Sequence, residues 1–138
     1  MAFPEWDESM ALGLPAIDHQ HQELIGWTKT LNEAVQKGEG ARIIDDVLQK
    51  LIGYVQHHFS DEERLMLSHN FQGFTSHRQE HDFFVAKLMG MHANIENGEE
   101  LSAKTLDFLI DWLISHIRGT DQDYGRFMRE IAGSSKFN

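Results

Sequence analysis

Cysteine is absent from the 138-residue chain, which excludes disulfides, thiolate zinc sites, iron–sulfur clusters and cysteine nucleophiles. Proline occurs only at Pro4 and Pro15, so nothing beyond residue 15 breaks a helix by that route. Positive charge is scarce: 12 Lys and Arg against 22 Asp and Glu leave a net charge of −10 with His neutral. Such a surface is repelled by nucleic acid and by an anionic membrane face. No apolar run is long and uncharged enough to span a bilayer, which argues against direct membrane insertion. The first residues have neither the basic nor the apolar segment of a secretory leader, so the expected setting is the cytoplasm. Any metal held here must rely on imidazole and carboxylate.

What is present fits one helical domain. The chain is 41% hydrophobic and its length suits a single core, expected to occupy residues 1–138. Both prolines fall early, which predicts an extended arm over residues 1–17. Apolar residues then recur at Leu24, Ile25, Leu31, Ala34 and Val35 behind the candidate cap Asp18, until Gly38 and Gly40 end a first helix of about residues 18–37. A second helix, about 41–67, carries Ile44, Val47, Leu48, Leu51, Ile52, Val55, Phe59, Leu65 and Met66. A third runs from after Gly73 through Phe84, Val85, Leu88 and Ile95 to Asn97-Gly98. Ser102 caps a fourth through Leu106, Leu109, Ile110, Leu113 and Ile117. A tail helix through Tyr124, Phe127, Met128 and Ile131 precedes a polar tail, 132–138. The fold class is therefore all-α: an antiparallel up-down-up-down four-helix bundle with an extended N-terminal arm and a short C-terminal helix.

Nine histidines are the unusual feature of the composition. His21 shares a helical face with Leu24, Ile25 and Leu31 and points inward, whereas His19 points away. The second helix's stripe 44, 48, 51, 55 continues through 58, 62 and 65, placing His58 and Glu62 inside and His57 outside. A carboxylate in a core stripe needs a partner. His77 and His81 are an i,i+4 pair on the inner face of the third helix, and His116 follows Leu109 and Leu113 on the fourth. One such pair among nine histidines is an ordinary coincidence. Agreement in depth is not: with helices alternating in direction, His21, His58, Glu62, His77, His81, His116 and Asp121 all fall at the same end.

His92 lies about 16 Å along the axis from His81, too far to join them. His19, His57 and His69 read as solvated. The spacing from His116 to Asp121 fits badly, since five residues turn a helix by about 500°. A π-type turn around Ile117-Arg118-Gly119-Thr120 would bring both inward.

Five imidazoles and two carboxylates are too many for one ion and suit two. With both carboxylates bridging and a bridging oxo or hydroxo group added, all but one position of two octahedra are filled. Zinc would be overcrowded and copper would not demand the carboxylate pair, so two iron ions are favoured, with manganese second. One open position in an apolar pocket suits a small neutral diatomic, and dioxygen fits two ferrous ions best.

The stretches that carry this chemistry resemble the hemerythrin family. They include Ile17-Asp18-His19-Gln20-His21-Gln22, His58-Phe59-Ser60-Asp61-Glu62-Glu63, His77-Arg78-Gln79-Glu80-His81 and Trp112 through Asp121, and the likeness covers nearly the whole chain. The resemblance implies that His77, His81 and His116 hold a saturated iron, that His21 and His58 hold the iron with the open position, and that Glu62 and Asp121 bridge. It also implies an apolar dioxygen pocket drawn from Leu24, Phe59, Trp112, Leu113 and Ile117.

Thr120 aside, no titratable group other than the ligands is expected near the open position, which favours reversible binding over turnover and a protein that is not an enzyme. Oxygen storage, delivery or scavenging follows, with nitric oxide and small anions as further ligand candidates. The alternative is an oxygen or redox sensor module with a covalent or non-covalent signalling partner, because similar domains occur on chemotaxis receptors and cyclases. The Met1 start and polar ending suit a stand-alone protein and an excised domain alike. A ferritin-like oxidase is opposed by the absence of any inner Glu with a His three residues on.

Overall fold

The computed structural model describes residues 5–135, so the first four residues of the predicted arm and residues 136–138 of the predicted tail lie outside the described residues. Four long helices form the bundle: α1 (Pro15–Gln36), α2 (Ala41–Ser68), α3 (Phe74–Glu96) and α4 (Ala103–Arg118). A shorter α5 (Thr120–Ser135) follows. Helix α1 packs on α2, α2 on α3, and α1 also meets α4, as an up-down-up-down bundle requires.

Three of the four turns are built alike. Gly38, Asn70 and Gly98 all take left-handed φ values, 69°, 56° and 87°. In each, the following N–H reaches five residues back: Glu39 to Ala34, Phe71 to Met66 and Glu99 to Asn94, at 2.9–3.1 Å. This is the Schellman arrangement, which satisfies the last carbonyls of a helix and reverses the chain tightly. Ser102 caps α4 as expected, its hydroxyl accepting from the Thr105 N–H at 3.1 Å.

Three expectations need correction. Helix α1 begins at Pro15, before the expected start at Asp18, because proline's fixed φ and missing N–H suit the first helical position. Asp18 instead uses its carboxylate to accept the Leu12 N–H at 2.8 Å, tying the arm to the helix. The arm is not wholly extended: Glu8–Met10 is a 3₁₀ turn capped by Asp7, which accepts the Ser9 N–H at 2.8 Å. Finally, no π turn joins His116 to Asp121. Gly119 leaves helical geometry at φ −106°, ψ −81°, ending α4 and restarting the chain as α5 at Thr120. A one-residue break turns Asp121 inward without a widened hydrogen-bond ring, and the tail helix consequently starts earlier than its apolar residues suggested.

The core falls into two apolar clusters. The larger contains Leu24, Leu31, Leu48, Leu51, Val55, Phe59, Phe84, Leu88, Leu106, Leu113 and Ile117. The smaller, under the arm, contains Leu12, Ile17, Met66 and Tyr124. His21 lies between Ile17 and Leu24 on α1, and Glu62 between Phe59 and Met66 on α2, so the polar layer is enclosed between two dry ones. Among the described residues no helix is long and apolar enough to cross a membrane.

The arm is held to α5 by the Arg129 guanidinium on the Leu12 carbonyl and by Gln122 on the Ser9 and Ala11 carbonyls. It runs so close that a Cβ at Gly125 would meet Leu12 Cγ at 2.9 Å and Cβ at 3.0 Å. Leu12 is fully buried and cannot swing aside. Gly125→Ala should therefore destabilise the chain by about 1–3 kcal/mol through overpacking, lowering the calorimetric melting temperature by about 5 °C. An unchanged melt would show that the arm is not docked here.

Candidate metal centre

All seven side chains singled out at one end of the bundle meet in the enclosed layer. His21, His58, Glu62 and Asp121 are completely buried, and His77, His81 and His116 are at most 4% exposed. Their ligand atoms fall into two overlapping groups. Glu62, His77, His81, His116 and Asp121 form one, and His21, His58 and Glu62 form the other, with the atoms of each within 4.8 Å of one another.

The contacts within them are distinctive. Asp121 Oδ1 stands 2.9 Å from His77 Nε2 and 3.1 Å from His116 Nε2, while its Oδ2 stands 3.1 Å from His21 Nε2. Glu62 Oε1 is 3.2 Å from His58 Nε2 and 3.4 Å from His81 Nε2, and its Oε2 is 3.6 Å from His21 Nε2. None of these approaches has hydrogen-bond geometry: the Nε2 atoms of all five imidazoles and all four carboxylate oxygens lack a partner. Buried polar atoms are ordinarily paired. Nitrogen and oxygen lone pairs that converge closely yet miss one another are aimed at a third point, as ligands of a cation are. The donor set therefore fits metal ions.

The charges agree. Burial works to lower the His21 pKa, but contacts with Asp121 and Glu62 outweigh it and raise it to about 10. Burial likewise opposes the charged form of His116, whose pKa the Asp121 charge and contact nevertheless raise to about 9. Burial works to raise both carboxyl groups, yet His58, His21 and His81 hold Glu62, and His116 and His21 hold Asp121, well below the usual range. Without metal, protons on imidazole replace the missing cation charge.

The faces of the imidazoles are fixed by stacking. Phe59 lies parallel to His81 at 3.7 Å between ring centroids, Trp112 parallel to His116 at 4.6 Å, and Phe84 parallel to Trp112 at 4.2 Å. Two residues expected to wall a gas pocket thus also brace imidazoles of the three-histidine group. Leu24, Leu113 and Ile117 are buried in the apolar cluster beside the site.

The remaining histidines lie outside. His19 and His57 are exposed, beside Glu23 and Asp61. His69 is not simply solvated: its Nδ1 is 2.9 Å from the Leu65 carbonyl at the end of α2. His92 ties α3 to α2 through Asp45 at 2.7 Å, which raises its pKa.

Sequence reasoning missed the outer ring of partners. His58 Nδ1 donates to Gln20 Oε1 at 2.6 Å, His81 Nδ1 to Glu63 Oε2 at 2.9 Å, and His116 Nδ1 to Glu80 Oε1 at 3.1 Å. Thr120, flagged as a donor, spends its hydroxyl on Glu80 at 2.8 Å. One further titratable group, which reads in the sequence only as an apolar residue of the tail helix, lies beside the three-histidine group. Tyr124 is fully buried, its ring edge-on to His77 at 5.9 Å and its hydroxyl unpartnered. Burial, with the Glu62 and Asp121 charges, pushes its pKa up, so the phenol keeps its proton.

A helical bundle enclosing two carboxylate-sharing histidine groups defines a metal-binding protein with a dinuclear centre. The profile of the hemerythrin HHE cation binding domain matches residues 12–127. A bacteriohemerythrin of Pseudomonas aeruginosa is 29% identical over 124 residues, covering 90% of this chain and 80% of its own length. The myohemerythrin of Theromyzon tessulatum is 31% identical over 120 residues, covering 87% and 89% respectively. The chain belongs to the hemerythrin family, whose domain implies a di-iron site.

Proposed function

We propose that the chain binds dioxygen reversibly at a non-haem di-iron centre, for storage, delivery or scavenging, and is not an enzyme. In this reading His77, His81 and His116 would hold one ion, His21 and His58 the other, and Glu62 and Asp121 would be shared between them. The observation that carries it is the division of Asp121, whose Oδ1 serves two histidines of one group while Oδ2 serves His21 of the other. Three histidines against two would give the second position one protein ligand fewer, room for a small diatomic there.

Ferrous ions held there would supply the electrons for dioxygen binding; the protein's own task is to exclude water and withhold protons. Leu24, Leu113 and Ile117, with Phe59 and Trp112, form the apolar wall. Tyr124 keeps its proton, and the Thr120 hydroxyl is committed to Glu80. With no acid ready to protonate reduced oxygen, release as dioxygen is favoured over turnover. Nitric oxide and small anions would compete for the same position.

The test is anaerobic loading with ferrous iron, optical titration with dioxygen and an argon purge. One dioxygen per two irons and return of the starting spectrum are expected. A ferric-like spectrum that argon cannot reverse, with peroxide released, would overturn the proposal.

A further inference from the structure

The outer partners of the imidazoles divide unequally between the two histidine groups. In the three-histidine group two Nδ1–H groups are backed by carboxylates, His81 by Glu63 and His116 by Glu80. In the two-histidine group no Nδ1 meets a carboxylate: His58 is backed by the Gln20 amide, and His21 Nδ1, like His77 Nδ1 of the other group, has no partner. Yet a carboxylate is close by. Asp61 accepts from Gln20 Nε2 at 3.0 Å, so Gln20 stands between the Asp61 charge and the His58 ring. Gln20 immediately precedes His21 on α1, and Asp61 immediately precedes Glu62 on α2, so the bridge ties the two helices beside their inward ligands.

We infer that Gln20 is a positioning residue that sets the two metal positions apart, clamping His58 in the Nδ1–H form while keeping carboxylate charge one hydrogen bond away from it. The inference rests on the two-ion reading of the site. Its chemistry is direct. The amide oxygen can only accept, so His58 must carry its proton on Nδ1, which leaves the Nε2 lone pair facing Glu62 and the metal. A carboxylate acceptor draws that proton more strongly and makes the ring a more basic ligand; a neutral amide does so less. The position with His81 and His116 therefore has the stronger donors, and the one with His58 and His21 the weaker. The three-histidine position should fill with metal first and the two-histidine position second.

The test uses the metal-free full chain, titrated anaerobically with ferrous iron or cobalt(II) and followed optically. The unaltered chain should fill in two steps. Gln20→Leu should weaken the second step by about 10- to 100-fold and leave the first within about twofold. The double variant Gln20→Glu, Asp61→Asn moves the charge inward by one hydrogen bond while keeping net charge, side-chain shape and the His58–residue 20–residue 61 hydrogen-bond chain, at the expense of the exposed Asp61 pairs with His57 and Arg64. In it the second step should tighten toward the first, and this variant carries the test if Gln20→Leu fails to fold. Nitrogen NMR of the metal-free chain should show His58 protonated on Nδ1, with that preference lost in Gln20→Leu. Two-ion uptake whose steps keep their ratio in both variants, or weaken equally, would overturn the inference alone. Uptake of fewer than two ions by the unaltered chain would overturn the two-ion reading, and this inference with it.

Discussion

Chelating the metal should lower the melting temperature of the protein by about 20 °C, and reloading should restore it. Among the described residues, nearly all the buried side-chain polar atoms without partners belong to the seven clustered side chains. Each unpaired buried group costs about 1–3 kcal/mol, so the cluster without metal opposes a fold whose whole stability is about 5–15 kcal/mol. Protons on His21 and His116 relieve part of that strain, since both pKa values lie well above neutrality. They cannot satisfy the remaining lone pairs on His58, His77, His81 and the carboxylates. An ion held a thousandfold above its dissociation constant adds about 4 kcal/mol, so two add about 8 kcal/mol. For a domain of this size that corresponds to about 20 °C. Glu62→Ala, which removes a carboxylate from both groups, should forfeit most of the shift and reduce bound metal below two ions per chain. Calorimetry of the stripped and reloaded protein decides the matter. Melts within about 2 °C of each other would mean that this layer is not where metal binds.

The parts of this arrangement legible in the sequence are those governed by helical period. His58 with Glu62, and His77 with His81, are i,i+4 pairs on stripes that also carry Val55, Phe84 and Leu88, so their inward direction follows from periodicity alone. Their common depth follows from alternating helix direction. The turns were legible too, because Gly38, Asn70 and Gly98 are residues that tolerate left-handed backbone. Asp121 was placed inward on chemical grounds, but the device was misjudged. Periodicity carries no information on how a glycine resolves a mismatch, and a break at Gly119 served where a π turn was expected.

The outer ring was not legible for a different reason. Glu80 meets His116 and Thr120 across 36 and 40 residues, and Gln20 meets Asp61 across 41. Such contacts depend on helix rotation and side-chain torsions that no spacing encodes. Gln20, Glu63 and Glu80 are all next to ligands in sequence and therefore point away from the core stripe, which is why they read as ordinary surface residues. A neighbour of a ligand reaches the ligand of the adjacent helix: Glu63 follows Glu62 yet serves His81. Tyr124 was recognised as an apolar residue of the tail helix, and only the early start of α5 reveals that it faces His77.

Loading the metal-free protein near pH 7.5 should release at least two protons per chain, and the affinity for the pair of ions should climb steeply as pH rises. In the metal-free state His21 titrates at about 10 and His116 at about 9, so both are protonated at pH 7.5, while Glu62 and Asp121 are ionised. The Nε2 lone pairs that a cation needs are the ones those protons engage, and both must leave. Below about pH 9 the affinity for the pair should rise by about two decades per pH unit, flattening to one between 9 and 10 and then to none. The metal-free fold moves oppositely. A histidine whose pKa is raised from 6.5 by folding contributes stability that is complete below 6.5 and is lost as pH climbs through its folded value. The melting-temperature gap between loaded and stripped protein should therefore widen from pH 6.5 to 10. Calorimetric loading in buffers of different ionisation enthalpy counts the protons directly. A count below one would mean that His21 and His116 are already neutral without metal, and that the charge of the two buried carboxylates is balanced elsewhere.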